Sequence, residues 1–282
     1  MHALKNPSTE DQAGGADFRG RAATGLRPDQ EQAAAFLRTR VKVLGAPIDA
    51  INWKQALDQI ALWAARRESR VVCLCNAHSV VTASQDPEFA KVIEAADLAT
   101  ADGMPVAWLI RRSGHREQQR ISGPDLMWEY CRAAAARHES IFLFGNTEAT
   151  LQSLRDRLVA EFPRLRIAGM ISPPFRAPTA EEDTDTVEAI NASGAGTVFV
   201  SLGCPKQELW MHAHRDRIRA TMIGVGAAFD YHAGTLRRAP RWMQVIGLEW
   251  LFRFACEPSR LWRRYLVTNT LFIAGALKQL SR

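Results

Sequence analysis

Between Ala99 and Gly123 the chain reads ATADGMPVAWLIRRSGHREQQRISG. An acidic residue, Asp102, follows a short apolar run and precedes Arg111, Arg112, Arg116 and Arg120. A carboxylate at the carboxyl end of a strand is placed to accept a proton, and guanidinium groups beside it are placed to hold an anionic leaving group. That is a catalytic arrangement in outline. Asp-Gly also suits an ordinary turn, since Asp tolerates turn geometry and Gly supplies unusual dihedrals, so the stretch alone leaves both readings open.

Other candidates sit in the same kind of place. Ser201-Leu202-Gly203-Cys204-Pro205-Lys206-Gln207-Glu208 runs from a strand through a Gly turn to a Pro at a first helical position. The free N–H groups of such a helix start, with Lys206 beside them, suit a phosphate, and Lys206 or Gln207 is placed to read a nucleotide. A plain strand-to-helix turn is the competing account. Gly224-Val225-Gly226-Ala227-Ala228-Phe229-Asp230 looks like a dinucleotide fingerprint until its sixth position, where Phe229 opposes the close packing that motif needs. Asp230 is kept as a candidate for a ribose or acceptor hydroxyl.

Two further patterns are read as structural. Asp183-Thr184-Asp185 resembles a metal–nucleotide DxD motif, but it lies in the acidic run TAEEDTDTVEA, which suits the exposed first turns of a helix. His212 and His214 have the wrong spacing for an i, i+4 metal pair, and His78 stands alone. No metal site and no cofactor are expected, and no Ser-His-Asp or Cys-His pairing follows from spacing.

These residues need a frame. Apolar runs at Val71–Cys75, Asp97–Ala101, Ile141–Phe144, Ile167–Ile171, Val198–Leu202 and Met222–Val225 alternate with stretches long enough for crossover helices. Their length and β-branched content predict buried parallel strands in an α/β, Rossmann-like layered fold with a mostly parallel sheet flanked by helices. Each run ends in small or polar residues: Asn76-Ala77-His78, Asp102-Gly103, Gly145-Asn146, Gly203-Cys204 and Gly224-Val225-Gly226. In parallel sheets the ligand crevice lies beyond the carboxyl ends, so these residues are expected to converge. Upstream, VKVLGAPIDA reads as one strand and a turn before a helix around Trp53–Arg66.

The chain divides into three regions. Residues 1–38 read as a disordered leader without sustained period, 39–236 as the catalytic α/β domain, and 237–282 as a basic helical appendage divided at Glu257-Pro258. The whole chain of 282 residues carries +6, and nine basic residues against two acidic ones from Arg237 onwards account for all of it. An anionic partner is therefore sought at that end. Tyr265–Leu277 is too short an apolar run to span a bilayer; its Trp and Arg neighbours suit either an interfacial helix on anionic headgroups or a packed helix pair with a solvated Arg face. Five cysteines without a CxxC pair, and no apolar signal segment in the first forty residues, point to a reducing, cytoplasmic location.

Taken in order, NAHS at 76–79, ADGMPVAW at 101–108, RISGPDL at 120–126, FLFGN at 142–146, SLGCPKQE at 201–208, GVGAAFD at 224–230, and RAP with GLEWLFR and EPSRLWRRY resemble the WecG/TagA/CpsF family of bacterial glycosyltransferases. The resemblance covers roughly residues 41–272. It implies inverting, metal-independent transfer from a UDP-sugar to a lipid-pyrophosphate-linked acceptor at the inner face of the cell membrane, in the making of surface polysaccharide. The family's proposed base falls on Asp102, its strand-end Asn on Asn76, its Arg before Gly-Pro-Asp on Arg120 and its PKQE glutamine on Gln207. The arginines of its basic C-terminal appendage, implicated in membrane attachment and in completing the site, fall on Arg253, Arg260 and Arg264. Gly145, Asn146, Gly203, Lys206, Gly226 and Asp230 complete the expected substrate-binding set. Members often carry Pro where this chain has Ala77.

Two other functions fit less of the chain. A nucleotide-cofactor oxidoreductase is opposed by Phe229. A non-catalytic membrane-binding module would use only the basic tail, and a nucleic-acid partner is not expected because the tail lacks the aromatic-plus-basic pattern across a sheet that single-strand readers use. Self-association of the chain is left open.

Overall fold

The computed structural model describes residues 38–281; the leader read over 1–38 lies outside them except for Arg38. The first element is a hairpin, β1 (Arg40–Val43) with β2 (Ala46–Asp49), paired antiparallel. One strand and a turn were expected here, and Pro47 falls instead in the second strand. On a two-stranded ribbon, opposite Lys42, its missing N–H leaves no inner strand unpaired, and Leu44-Gly45 turns the chain with φ of 50° and 93°.

Six strands form one parallel sheet: β3 (Arg70–Cys75), β4 (Leu98–Ala101), β5 (Ser140–Gly145), β6 (Arg166–Ile171), β7 (Thr197–Ser201) and β8 (Thr221–Gly224). Their order is β4-β3-β8-β7-β5-β6. The chain winds outward over β3 and β4 and restarts on the other side at β5. Between the two halves lies a switch point of the kind that opens a crevice at the carboxyl ends. β4, β7 and β8 are buried along their whole length, which is why they read as unbroken apolar runs.

Helices α1 (Trp53–Ala65), α2 (Ala77–Gln85), α3 (Pro87–Ala95), α4 (Met104–Arg112), α5 (Gly123–Ala136), α6 (Glu148–Glu161), α7 (Ala180–Ser193), α8 (Lys206–Ala213) and α9 (Ala228–Ala233) make the connections. Several begin on side-chain caps: Asn52 for α1, Asn76 for α2, Asp86 for α3 and Thr147 for α6. The amino ends of the strands are clasped by buried carboxylates. Asp97 accepts from the Val71 N–H at 2.8 Å and pairs with Arg70 and Arg215; Asp49 accepts from the Ala99 N–H at 2.7 Å and from Arg38.

Beyond Gly234 come α10 (Arg241–Val245), α11 (Glu249–Cys256) and α12 (Pro258–Leu280), the last two divided at Glu257-Pro258. The inner face of α12 carries Leu261, Thr268, Phe272 and Ala276, and Phe272 and Ala276 belong to the same core cluster as Val71, Val198 and Met222. Each large side chain so buried contributes roughly 1.5–3 kcal/mol. The far end is latched to the hairpin: Gln279 Oε1 accepts from the Leu44 N–H and its amide donates to the Lys42 carbonyl, both at 2.8 Å. Gly275 lies so close to Leu44 that a Cβ would come within 2.7 Å of Leu44 Cδ2.

Candidate active site

A cleft of about 1190 Å³ opens at the carboxyl ends of β3, β4, β5, β7 and β8, with the segment from Gln244 to Phe272 as its outer wall. Asn76, Asp102, Arg120, Asn146, Gly203, Lys206, Gln207, Gly226, Asp230, Arg253, Arg260 and Arg264 all line it. Of the expected catalytic and substrate-binding residues, Gly145 alone lies outside the lining. Its φ of 117° and its backbone are pressed on Ser201, where a Cβ would come within 2.5 Å of the carbonyl oxygen, so it shapes the turn that presents Asn146.

Asp102 and Arg120 are brought together by main-chain bonds. The Asp102 N–H donates to the Cys75 carbonyl at 3.0 Å, and the Ile121 N–H to the Ala101 carbonyl at 2.9 Å, which sews the residue after Arg120 to the end of β4. Gly103, at φ 102°, then turns the chain into α4. The Arg120 Nε stands 4.0 Å from Asp102 Oδ1 while its Nη2 donates to Glu249 Oε2 at 2.5 Å. Arg238 grips Asp125 through both carboxylate oxygens, at 2.6 and 2.7 Å, and its Nε lies 3.9 Å from Glu249 Oε1. Acid and base thus alternate from Asp102 through Arg120, Glu249 and Arg238 to Asp125.

Burial pushes the Asp102 carboxyl up; Arg120 pulls it down, and Glu249 and Asp125 push it up again. The outcome is about 6 against an ordinary 3.8. A carboxylate with that affinity is half charged near pH 6 and accepts a proton far more readily than an ordinary one. Asp125 goes the other way: burial would raise it, but hydrogen bonds from Arg238 and Ser122 hold it below the usual range.

The opposite side of the cleft is held by internal bonds. Asn146, at φ 63°, donates through Nδ2 to Asp230 Oδ1 at 3.0 Å and caps the Thr147 N–H. Gln207 is buried; its Oε1 accepts from the Gly226 N–H at 3.0 Å and its amide donates to Glu208. Gln207 thus lines the cleft, where it was expected, and its amide also fixes the Gly226 loop against α8. Lys206 is exposed at the start of α8, and Gly203, at φ 76°, has open space around it. Asn76 Oδ1 accepts from the His78 and Ser79 N–H groups, which makes it the cap of α2 as well as a cleft residue. Phe229 is fully buried and α9 has only six residues, so the dinucleotide pattern at 224–230 has no long helix behind it.

On the outer wall Arg253 lies over the Tyr231 ring, 5.9 Å from its centroid, and Arg260 is exposed and paired with Glu257 at 2.8 Å. The Nε atoms of Arg120, Arg238 and Arg264 and the Tyr231 hydroxyl are buried without a protein hydrogen-bond partner. Burial lowers Arg264 and pushes the Tyr231 hydroxyl up to about 12. Three of these donors, on Arg120, Arg264 and Tyr231, belong to residues that line the cleft, and unsatisfied donors there suit an anionic, oxygen-rich ligand. Glu249, Arg238 and Tyr231 were not singled out from the sequence; GLEW and RAP contain or adjoin two of them, but nothing local says they face Asp102.

The DxD carboxylates behave as helix-surface groups with one difference. Asp185 is exposed, whereas Asp183 accepts from Arg217 at 2.7 Å and binds His214 Nε2 at 2.8 Å, so both its oxygens are occupied. Burial raises its carboxyl, but those two partners hold it below the usual value. Among the described residues no group of three or more His, Cys, Asp and Glu side chains has a metal-holding arrangement.

Comparison with known proteins joins this geometry to a chemistry. N-acetylglucosaminyldiphosphoundecaprenol N-acetyl-beta-D-mannosaminyltransferase of Bacillus subtilis (strain 168) is 30% identical over 197 residues, covering 70% of this chain and 75% of that protein. The protein of the same name from Bacillus spizizenii (strain ATCC 23059 / NRRL B-14472 / W23) is 31% identical over 185 residues, 65% of this chain and 70% of its own. The model of the glycosyl transferase WecG/TagA/CpsF family matches residues 41–282, which takes in the strand ends, the Asp102 network and the whole outer wall, and the chain belongs to that family of glycosyltransferases.

Proposed function

We propose that this glycosyltransferase moves a sugar from a UDP-sugar to a saccharide linked to polyprenyl diphosphate, with inversion and without a metal. The observation that carries the reading is Asp102: a carboxylate held near 6, beside Arg120, in a cleft whose outer wall presents Arg253, Arg260 and Arg264, the last with a buried Nε that has no protein partner. Asp102 takes the proton of the acceptor hydroxyl as that oxygen attacks the anomeric carbon from the face opposite the nucleotide, and the configuration inverts. Charge on the departing diphosphate is met by Arg253, Arg260 and Arg264 and by the N–H groups at the start of α8 near Lys206. Asn146 and Asp230 serve the nucleoside, Gln207 and Gly226 shape its loop, and Asn76 sets the Asp102 rim.

Metal independence is supported by the engagement of Asp183, the better of the two DxD carboxylates, with Arg217 and His214. The names of the two relatives put N-acetylmannosamine first among donor sugars and an N-acetylglucosaminyl diphospholipid first among acceptors. Purified protein incubated with a UDP-sugar panel and a short-chain lipid acceptor, with and without EDTA, tests the reading. Transfer with inversion in the presence of EDTA is the expected result. Activity that EDTA removes and Mg²⁺ or Mn²⁺ restores would overturn the metal-free mechanism.

A further inference from the structure

Glu249 enters the Asp102 site from the outer wall, and the role it is given there rests on Asp102 being the base. A carboxylate in the first turn of a helix ordinarily faces that helix's own free N–H groups. Glu249, first residue of α11, reaches across to Arg120 instead, over a separation of 129 residues, and is only 18% exposed there. Two carboxylates compete for one guanidinium: Glu249 holds it at 2.5 Å, and Asp102 is left at 4.0 Å.

We infer that Glu249 is a positioning residue that sets the basicity of Asp102 by holding Arg120 off it. The charged groups that face Asp102 are few. Arg120 and Arg238 favour its ionised form, and Glu249 and Asp125 disfavour it. Arg238 is bound by both carboxylate oxygens of Asp125, so Arg120 is the one guanidinium of this network free to change partner. Without Glu249, Arg120 closes on Asp102 as a tight ion pair, and a carboxylate so paired is a poor base. With Glu249 in place Arg120 stays near enough to orient the base and too committed elsewhere to neutralise it. Because Glu249 belongs to the C-terminal segment, the base has its working strength only with that segment seated on the cleft.

The test uses the full chain as wild type and as Glu249→Gln, Glu249→Ala, Glu249→Asp and Asp102→Asn. Aspartate carboxyl carbons are labelled with ¹³C and titrated in the unliganded enzyme, the Asp102 resonance being the one lost in Asp102→Asn. Glu249→Gln is expected to lower the Asp102 midpoint by about one pH unit or more, since a freed Arg⁺ partner favours the ionised form. The acid limb of the kcat/KM profile moves the same way, and the rate on the plateau falls as the base weakens. Glu249→Ala carries the same expectation where Gln is poorly accommodated, and Glu249→Asp, which keeps the charge, returns the midpoint towards wild type. An Asp102 midpoint that is unmoved or raised in both neutral variants overturns the inference. Full turnover in Asp102→Asn instead overturns the base assignment alone, because the carboxyl titration reads the coupling without reference to turnover.

Discussion

At Asp102 burial and neighbouring charge act against each other, and burial prevails, so the native protein holds a carboxyl near 6 that the unfolded chain releases near 3.8. Between those two values the native state binds a proton the unfolded state has lost. Stability therefore falls as pH rises through that window and stays lower above it. With the side chain 22% exposed, the cost at neutral pH is about 2 kcal/mol. Asp102→Asn removes that cost together with the proton acceptor. Its turnover is expected to drop by about 10² or more while UDP binding persists, and its thermal midpoint at pH 7.5 to rise by about 5 °C. The stability difference between variant and wild type should shrink below pH 4; calorimetry across pH reads it, and a variant less stable than wild type at pH 7.5 would count against the strained base. Asp102 and Arg120 were legible in the sequence because strand end, turn and arginine lie within twenty residues of one another. Glu249 was not, since a partner 129 residues away leaves no local trace. Gln207 was found in the cleft, but its bond to the Gly226 N–H was not legible, because sequence does not tell which backbone N–H an amide will face.

Strands left the clearest record. All six runs of the parallel sheet fall within a residue or two of their observed positions, since sheet-core strands are continuous apolar segments bounded by polar turns; β6, expected to be buried like the others, lies at the sheet edge and has no buried residue. The hairpin was half missed at Pro47, and the short α10 went unread because five residues carry too little period. The acidic run at 180–185 was read as a helix start, and α7 begins there with a Thr179–Glu182 capping box. Its two aspartates are nevertheless unequal. Asp183→Ala severs α7 from His214 and Arg217 and is expected to cost about 1 kcal/mol in stability, whereas Asp185→Ala is nearly silent. Neither is expected to alter the response of kcat to Mg²⁺, which a metal titration of both variants checks. The docking of α12 has its own pH dependence. His78 of α2 meets Thr268 of α12 at 3.3 Å, and burial, with Arg264 nearby, lowers its midpoint from 6.5 to about 4. The native state so favours the neutral ring, and the stability it contributes is complete above 6.5 and lost as pH falls towards 4. Amide-exchange protection of α12 should decline between pH 6.5 and 5 relative to α6, and His78→Gln should flatten that decline.

For the whole molecule the question is what the outer wall faces. Among the described residues, most large apolar side chains with wide exposure lie between Trp242 and Leu280, including Ile246, Trp262, Leu266, Val267 and Leu277. Helix α12 is apolar on two sides: one, with Phe272 and Ala276, is sealed on the core, and the other, with Leu266 and Leu277, faces outward among Arg263 and Lys278. The inner face fits the packed-helix reading of this tail, and for the outer, exposed face we propose the interfacial one. No helix among the described residues is long and apolar enough to cross a membrane. An outward apolar face ringed by cations, on a segment holding nine basic residues against two acidic ones, suits the headgroup region of an anionic bilayer, which is where a polyprenyl-diphosphate acceptor would be met. Deleting the segment would not test this, since it would strip Phe272 and Gln279 from the core and hairpin as well. Surface substitutions do. Each basic group near such a surface is worth about 1 kcal/mol, or roughly fivefold in binding, so Arg241→Gln, Arg263→Gln and Lys278→Gln together should weaken vesicle binding by about 10². Leu266→Ser with Leu277→Ser removes the apolar part and should weaken binding even at high salt, where the charge part is already screened. Both sets should keep near wild-type turnover on a short-chain, water-soluble acceptor, because none of the five lines the cleft. Co-sedimentation with phosphatidylglycerol vesicles at two salt concentrations reads both parts at once. Unchanged binding in both sets would mean that this face meets something other than lipid.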